Sequence, residues 1–214
     1  MTRSTYFGSM ARLKRLPKPA RARTRPGFDF THNMRRVIDD MVMRLPELAH
    51  IDMSQVAIAF CQTRKRVSHG LQASLTPMRF EKGATTSEHL GRMYRVQPLL
   101  DDNGREMLYI LSFYLPRFLE TDLREKLITI LHELWHIGPD FDGDLRRHQG
   151  RCYIHSHSQA EYDEEMGRMA DRWLAMDPPE EKFHFLRYSF GELYQLHGGM
   201  HGVKIPQPKL IPVK

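Results

Sequence analysis

Two histidines and a glutamate, placed within five consecutive residues, are the part of this chain best suited to chemistry. They form the pattern H-E-x-x-H, in which His132 and His136 are four positions apart and Glu133 follows the first histidine. In a helix, residues four apart lie on one face about one turn from each other, so both imidazoles can reach a single metal ion. The glutamate can then take a proton from a metal-bound water. The spacing predicts a zinc site with Glu133 as the catalytic base.

The sequence around the motif predicts the helix that this spacing requires. Apolar residues recur at helical intervals through residues 123–134. Thr121 is a candidate N-cap, and Asp122 suits the positive end of a helix. Gly138-Pro139 ends the helix shortly after the motif.

Elements on either side of the motif helix indicate an α+β domain. A capping box at Ser158 begins a second helix that runs to about Met176. Upstream, Asn103-Gly104 stands between two extended runs and favours a hairpin turn. We predict a zincin-like fold in which a small mixed sheet packs on the H-E-x-x-H helix and on a second, C-terminal helix. The predicted strands are 55–62, 70–80, 94–100 and 106–114.

A catalytic zinc takes three protein ligands and keeps one position open for water, so a third donor has to follow the motif. The loop from 138 to 157 is long enough to bring the start of the second helix beside the motif helix. His155 is therefore our first candidate for the third ligand. Asp142 has the six-residue spacing of the last metzincin ligand, but Pro139 stands where that turn needs glycine. The alternatives that remain open are His157, Asp142, His148 and Glu161.

The positive charge of the chain is concentrated at its N-terminus. Residues 1–26 carry eight Lys and Arg and no acid, whereas the whole chain carries a net charge of +6, so the rest is close to −2. We expect residues 1–28 to be a disordered basic arm and residues 29–214 to be a single domain, with an extended tail of about ten residues. The arm could bind nucleic acid through phosphate contacts.

Composition restricts the class of protein further. No apolar run approaches the roughly 18 residues that span a bilayer, and the basic N-terminus lacks the apolar core of a secretory signal. Cys61 and Cys152 cannot build a zinc ribbon or a disulfide framework, and two thiols fit a reducing compartment. We expect a cytoplasmic protein without a membrane partner. The oligomeric state is left open by the sequence.

Three segments together resemble the phage-type metallopeptidases, a family of small zincin-like proteins from phages and bacteria. These segments are HELWHIGPDFDGDLRR, GRCYIHSHS and YDEEM, and the resemblance covers about residues 54–210. It implies His132, Glu133 and His136 in the active site, and it favours His155 over His148. The chain is also distantly similar to the SprT-like proteases, but it lacks the four cysteines of the forms that carry a DNA-binding ribbon.

We therefore expect a zinc metallopeptidase that hydrolyses peptide bonds with a zinc-bound water activated by Glu133. One alternative is a metal-dependent nuclease, because an RNA-processing family uses H-x-x-x-H with a third ligand six residues later, where Asp142 stands. Another is a non-catalytic adaptor that is tethered to DNA and uses the zincin fold as a scaffold. The glutamate after His132 favours the peptidase, since neither alternative needs it.

Overall fold

The computed structural model describes residues 14–15, 27–63, 70–147 and 159–213, which fold as a mixed α+β domain. The α+β prediction is therefore confirmed. The helices are α1 (Phe30–Arg44), α2 (Leu123–Trp135), α3 (Gln159–Ala175), α4 (Glu180–Phe183) and α5 (Phe190–His197). The strands are β1 (Lys14–Arg15), β2 (Phe28–Asp29), β3 (Val56–Gln62), β4 (Ala73–Pro77), β5 (Ser87–His89), β6 (Arg92–Val96), β7 (Leu99–Leu100), β8 (Tyr109–Leu115), β9 (Met200–His201) and β10 (Leu210–Pro212).

A mixed sheet with the strand order β3-β8-β4 forms the centre of the domain. β3 runs parallel to β8, and β4 runs antiparallel to it. The motif helix α2 packs against β4 on one side and against α3 on the other, while α1 packs against β3. This is the predicted arrangement of a small mixed sheet, the H-E-x-x-H helix and a second helix.

The prediction that residues 94–100 and 106–114 form one long hairpin is correct for the turn and wrong for the strands beyond it. Asp101 accepts the N–H groups of Asn103 and Arg105 in the expected turn, but pairing ends with a bridge between Leu100 and Glu106. β8 pairs instead with β3 and β4, and β6 pairs with β5 and β10. The reason is burial: YILSFYL in β8 is apolar on both faces and takes the central position, whereas RMYRV in β6 lies exposed or half-buried in an outer sheet.

The cap of the motif helix also differs from the prediction. Asp122 is the N-cap of α2, and its carboxylate accepts the N–H of Glu125 at 2.8 Å. Thr121, the predicted cap, donates its hydroxyl to the carbonyl of Phe118 at 3.1 Å in the preceding turn. The aspartate therefore both caps the helix and places a negative charge at its positive end.

The described residues near both ends of the chain form strands that pair with strands of the domain. Within the expected arm, Lys14–Arg15 form β1, which runs parallel to β7, and Phe28 already belongs to β2, which pairs with β9. Residues 1–13 and 16–26 lie outside the described part of the chain. In the expected tail, β10 pairs with β6. No helix in the described ranges is both long and apolar enough to cross a membrane.

A buried lysine fastens α2 to the C-terminal part of the domain. The side chain of Lys126 is almost fully buried, and its Nζ donates to the carbonyls of Leu186 at 2.8 Å and Tyr188 at 2.9 Å. Burial lowers the pKa of Lys126 to about 8, because desolvation disfavours the ammonium. The carboxylates of Glu120, Asp122 and Glu192 partly oppose that shift.

This depressed pKa makes stability depend on pH. Above about pH 8 the unfolded chain binds a proton that the folded chain has lost, up to the ordinary lysine pKa of 10.5. The free energy of unfolding of the wild type should therefore rise relative to Lys126→Met between these limits, by up to about 1.4 kcal/mol per pH unit. Urea unfolding of both proteins between pH 7.5 and 10 measures this difference. A difference that does not change with pH would contradict the prediction.

Candidate metal centre

The structure brings the two motif histidines together at the C-terminal end of α2. Their ring centroids lie 4.7 Å apart with the rings nearly perpendicular. His132 is in the last turn of the helix, and His136 is its C-cap residue. Tyr162 of α3 packs against both rings: it meets His132 edge-on at 4.8 Å and stacks on His136 at 6.1 Å. Helix α3 therefore holds the histidine pair from the side opposite the sheet.

Glu133 points toward the sheet and is nearly buried, with 8% of its surface exposed. Its carboxylate lies near the backbone N–H of Leu75 in β4, which favours the ionised form. Burial raises the pKa of Glu133 to about 7, and the bond from Leu75 partly opposes that shift. A cation beside this carboxylate would favour its ionised form and draw the pKa down again.

Strand β4 lies at the edge of the central sheet, next to Glu133. The N–H of Tyr114 donates to the carbonyl of Gln72, and the N–H of Met78 donates to the carbonyl of Leu108, so the even-numbered residues of β4 face β8. The N–H and C=O groups of Ala73 and Leu75 consequently point away from the sheet. Ala73 is buried, so of these groups the carbonyl of the half-buried Leu75 is the one that an extended chain could reach with a strand-like hydrogen bond.

A groove of about 490 Å³ runs between this edge and α2. One wall is the chain entering β4, where Leu71 is an exposed apolar residue, and the other is the surface of α2. The hydroxyl of Thr129 joins the two walls by donating to Gln72 at 3.1 Å. The groove is lined by Gly70, Leu71, Gln72, Ala73, Glu125, Ile128, Thr129, His132, Glu133 and Asp163.

Asp163 is a carboxylate of this site that the spacing argument missed. Its Oδ1 lies 3.9 Å from Nδ1 of His132, close enough for electrostatic attraction but longer than a hydrogen bond. Carboxylates commonly orient metal-binding histidines from outside the coordination sphere. Asp163 directly follows Tyr162 in the segment YDEEM, so the resemblance contained the signal without indicating this contact.

The residues present fit a divalent metal in part. Two imidazoles beside a buried carboxylate are donors of the kind that zinc takes. Among the described residues, no group of three His, Cys, Asp or Glu side chains could hold a metal ion. Asp142 is therefore not grouped with the histidine pair, and its Oδ1 accepts the N–H of Asp144 at 3.0 Å. The other candidates, His148, His155, His157 and the side chain of Glu161, lie outside the described part.

A mixed α+β domain that sets an H-E-x-x-H helix beside the edge strand of its sheet is an arrangement that a metallopeptidase could use. The chain belongs to the family described as putative phage metallopeptidase, whose model matches residues 31–176. This match confirms the resemblance seen in the sequence, and it spans α1, the central sheet, α2 and α3. The family implies a divalent metal and a protein or peptide substrate. No similarity to the SprT-like proteases was found, and no curated protein or solved structure matches the chain.

Proposed function

We propose that this protein is a zinc-dependent metallopeptidase, with His132 and His136 as zinc ligands, His155 as the third ligand and Glu133 as the catalytic base. One observation carries the proposal: Glu133 and His132 line the same groove, His136 packs beside His132, and the Glu133 carboxylate lies near the N–H of Leu75 in β4. The proposed base therefore lies close to the first proposed ligand and to the strand edge. The preference for His155 rests on the loop length and on the family resemblance.

A zinc ion held at this site would lower the pKa of a bound water to about 7 and polarise the substrate carbonyl. Glu133 takes the proton from the attacking water and returns it to the leaving amine. Its burial limits the access of bulk water to the carboxylate. A carboxylate that is poorly solvated is also a stronger base than one in water.

The substrate binds as an extended strand along β4. The carbonyl of the half-buried Leu75 points away from β8, and pairing with such a backbone group is largely independent of the substrate sequence. The scissile bond would then lie above Glu133, because the N–H of Leu75 contacts that carboxylate. Leu71, exposed on the groove wall, offers an apolar contact for a substrate side chain.

The alternative functions receive less support. A nuclease that uses Asp142 as third ligand is disfavoured, because this carboxylate bonds to the backbone of its own loop. A scaffold without catalysis has no need for a carboxylate buried beside two histidines, since burying it costs free energy. A peptidase has a use for both the buried carboxylate of Glu133 and the two histidines.

We also propose that the basic arm, residues 1–26, holds the peptidase near nucleic acid. The arm carries eight Lys and Arg and no acid, while the remainder of the chain is close to neutral. Phosphate contacts of this kind release counterions and depend little on sequence. The pairing of β1 with β7 would join the arm to the edge of the domain.

The ligand set can be tested by zinc content. Purified wild type should hold about one zinc per chain, and the metal should be lost in His132→Ala, His136→Ala and His155→Ala. The variants Asp142→Ala, His148→Ala and His157→Ala are matched controls that should keep it. Atomic emission after dialysis measures the ratio. A wild type that binds no zinc even after reconstitution would refute the proposed function.

The catalytic role can be tested with Glu133→Gln. This change should lower peptide hydrolysis by about 10²- to 10⁴-fold, because the amide cannot accept the proton, and should leave the zinc content unchanged. Glu125→Gln alters another glutamate of the same helix and groove, so it should stay within a few-fold of wild type. Mass spectrometry of a peptide library reports the cleavage. Full activity in Glu133→Gln would show that the mechanism is wrong.

The arm can be tested by replacing its eight Lys and Arg with Gln. Binding to duplex DNA at low salt should weaken, and the dependence of log Kd on log salt concentration should become less steep. Peptide cleavage should stay within a few-fold of wild type, because Lys14 and Arg15, the described residues of the arm, do not line the groove. Unchanged DNA affinity would exclude the arm as the contact.

A further inference from the structure

His136 lies just beyond the end of α2, where the helix alone does not fix the position of its side chain. Helix α2 ends at Trp135, and His136 is the C-cap residue that follows. The last carbonyls of a helix have no partners within the helix, and the final turn frays unless other groups bind them. His132, one turn earlier, is inside the helix. The second histidine therefore needs support from elsewhere in the chain.

Arg146 supplies that support through three contacts. Its backbone N–H donates to the carbonyl of His136 at 2.8 Å, and its side-chain Nε donates to the carbonyl of Trp135 at 2.8 Å. Its guanidinium also lies 4.2 Å from the centroid of the Trp135 ring. Arg146 thus binds the carbonyls of two successive residues at the helix end and packs on the ring of Trp135. A cation at this end also complements the helix dipole.

The loop that carries Arg146 is itself held in place. Ile137 and Leu145 form a β-bridge, and the N–H of Gly138 donates to the carbonyl of Asp144 at 3.2 Å. A Cβ at Gly138 would lie only 2.9 Å from that carbonyl oxygen, so glycine permits this close return of the chain. The chain after α2 therefore folds straight back onto the helix end.

A tyrosine of the central sheet fixes the middle of the same loop. The buried hydroxyl of Tyr109 donates to the carbonyl of Asp144 at 2.8 Å and accepts the N–H of Gly143 at 3.0 Å. Gly143 has a positive φ of 92°, a conformation that favours glycine. The loop is thus joined to β8 as well as to α2, and Arg146 is held at a set distance from the sheet.

The neighbouring arginine has a different role. The side chain of Arg147 bonds to the carboxylate of Asp144, from Nε at 3.0 Å and from Nη2 at 3.1 Å. Its Nη1 also lies 3.8 Å from Oε2 of Glu81, so Arg147 contacts the loop and the segment before β5, whereas Arg146 contacts the end of α2. Substituting each arginine in turn therefore distinguishes an effect on the stability of the loop from an effect on the end of α2.

We propose that Arg146 is a positioning residue for the metal site, which sets the imidazole of His136 relative to that of His132. This inference rests on the proposed function in so far as it assigns His136 to the metal. Residues that orient metal ligands without touching the metal typically account for 10- to 100-fold in affinity. The segment DGDLRR after the motif would then be part of the site.

The test is the zinc affinity of the full-length protein, measured by competition with a chromophoric chelator. Arg146→Met should weaken zinc binding by about 10- to 100-fold, and Arg146→Lys should recover part of the loss, since an ammonium can reach a carbonyl but cannot stack as the guanidinium does. Arg147→Met is the matched control and should remain within about 3-fold of wild type. Equal losses in Arg146→Met and Arg147→Met would reduce Arg146 to a loop-stabilising residue and overturn the proposal.

A second measurement does not depend on zinc. Hydrogen exchange in the metal-free protein should become faster in the peptide covering residues 132–138 in Arg146→Met, with little change in α1 or the central sheet. Unchanged exchange there would overturn the proposal even if zinc affinity fell. If the wild type binds no zinc, the proposed function fails, and the exchange result still decides whether Arg146 holds the helix end.

Discussion

The contact between the Glu133 carboxylate and the N–H of Leu75 is the constraint on which the site depends. A carboxylate removed from water needs a compensating donor, and in this fold β4 provides one. The contact fixes the rotation of α2 about its axis, because each residue turns a helix by about 100°. A shift of one residue would turn His132 away from the groove. Burial of one glutamate therefore determines the direction of the first motif histidine.

The rest of the domain holds α2 in the position that this contact requires. The side chains of Leu127, Ile130, Leu131 and Leu134 are fully buried against the sheet and α3. Lys126 binds carbonyls of the C-terminal part of the domain near the start of the helix. Arg146 binds carbonyls at its end. The helix is thus fastened along its length by apolar packing and at each end by a cation.

The motif helix, the second helix and the central strands could be predicted because each has a strong local pattern. The H-E-x-x-H spacing and the apolar period of residues 123–134 predict α2, and the run from Val56 to Gln62 predicts β3. Strand pairing could not be predicted, since the Asn-Gly turn favours a hairpin whereas the two apolar faces of β8 require a central position. Tertiary burial decided between them.

Two kinds of site residue could not be predicted from sequence spacing: those that contribute a backbone group, and those brought in by the packing of a distant element. Leu75 contributes an N–H group, which any residue except proline could supply, so its identity carries almost no signal. Asp163 lies near His132 only because α3 packs on α2, and the two residues are 31 positions apart in the chain. Side-chain chemistry is visible in a sequence, whereas the partner of a backbone group depends on the whole topology.

The two motif histidines owe their positions to different parts of the chain, and this has a consequence for how the site is built. His132 is held by the helix itself and by Tyr162, whereas the backbone of His136 is bonded to a loop that is anchored on β8. A change in the loop can therefore move one imidazole while the other keeps its place. In the proposed metal site, affinity would depend on both imidazoles being preorganised, since one ion would have to contact both. The sheet thus supports the site twice, through β4 at the carboxylate and through Tyr109 of β8 at the loop. Both supports come from neighbouring strands of one rigid sheet, so the separation between Glu133 and His136 is fixed by the spacing of those strands and not by the helix alone.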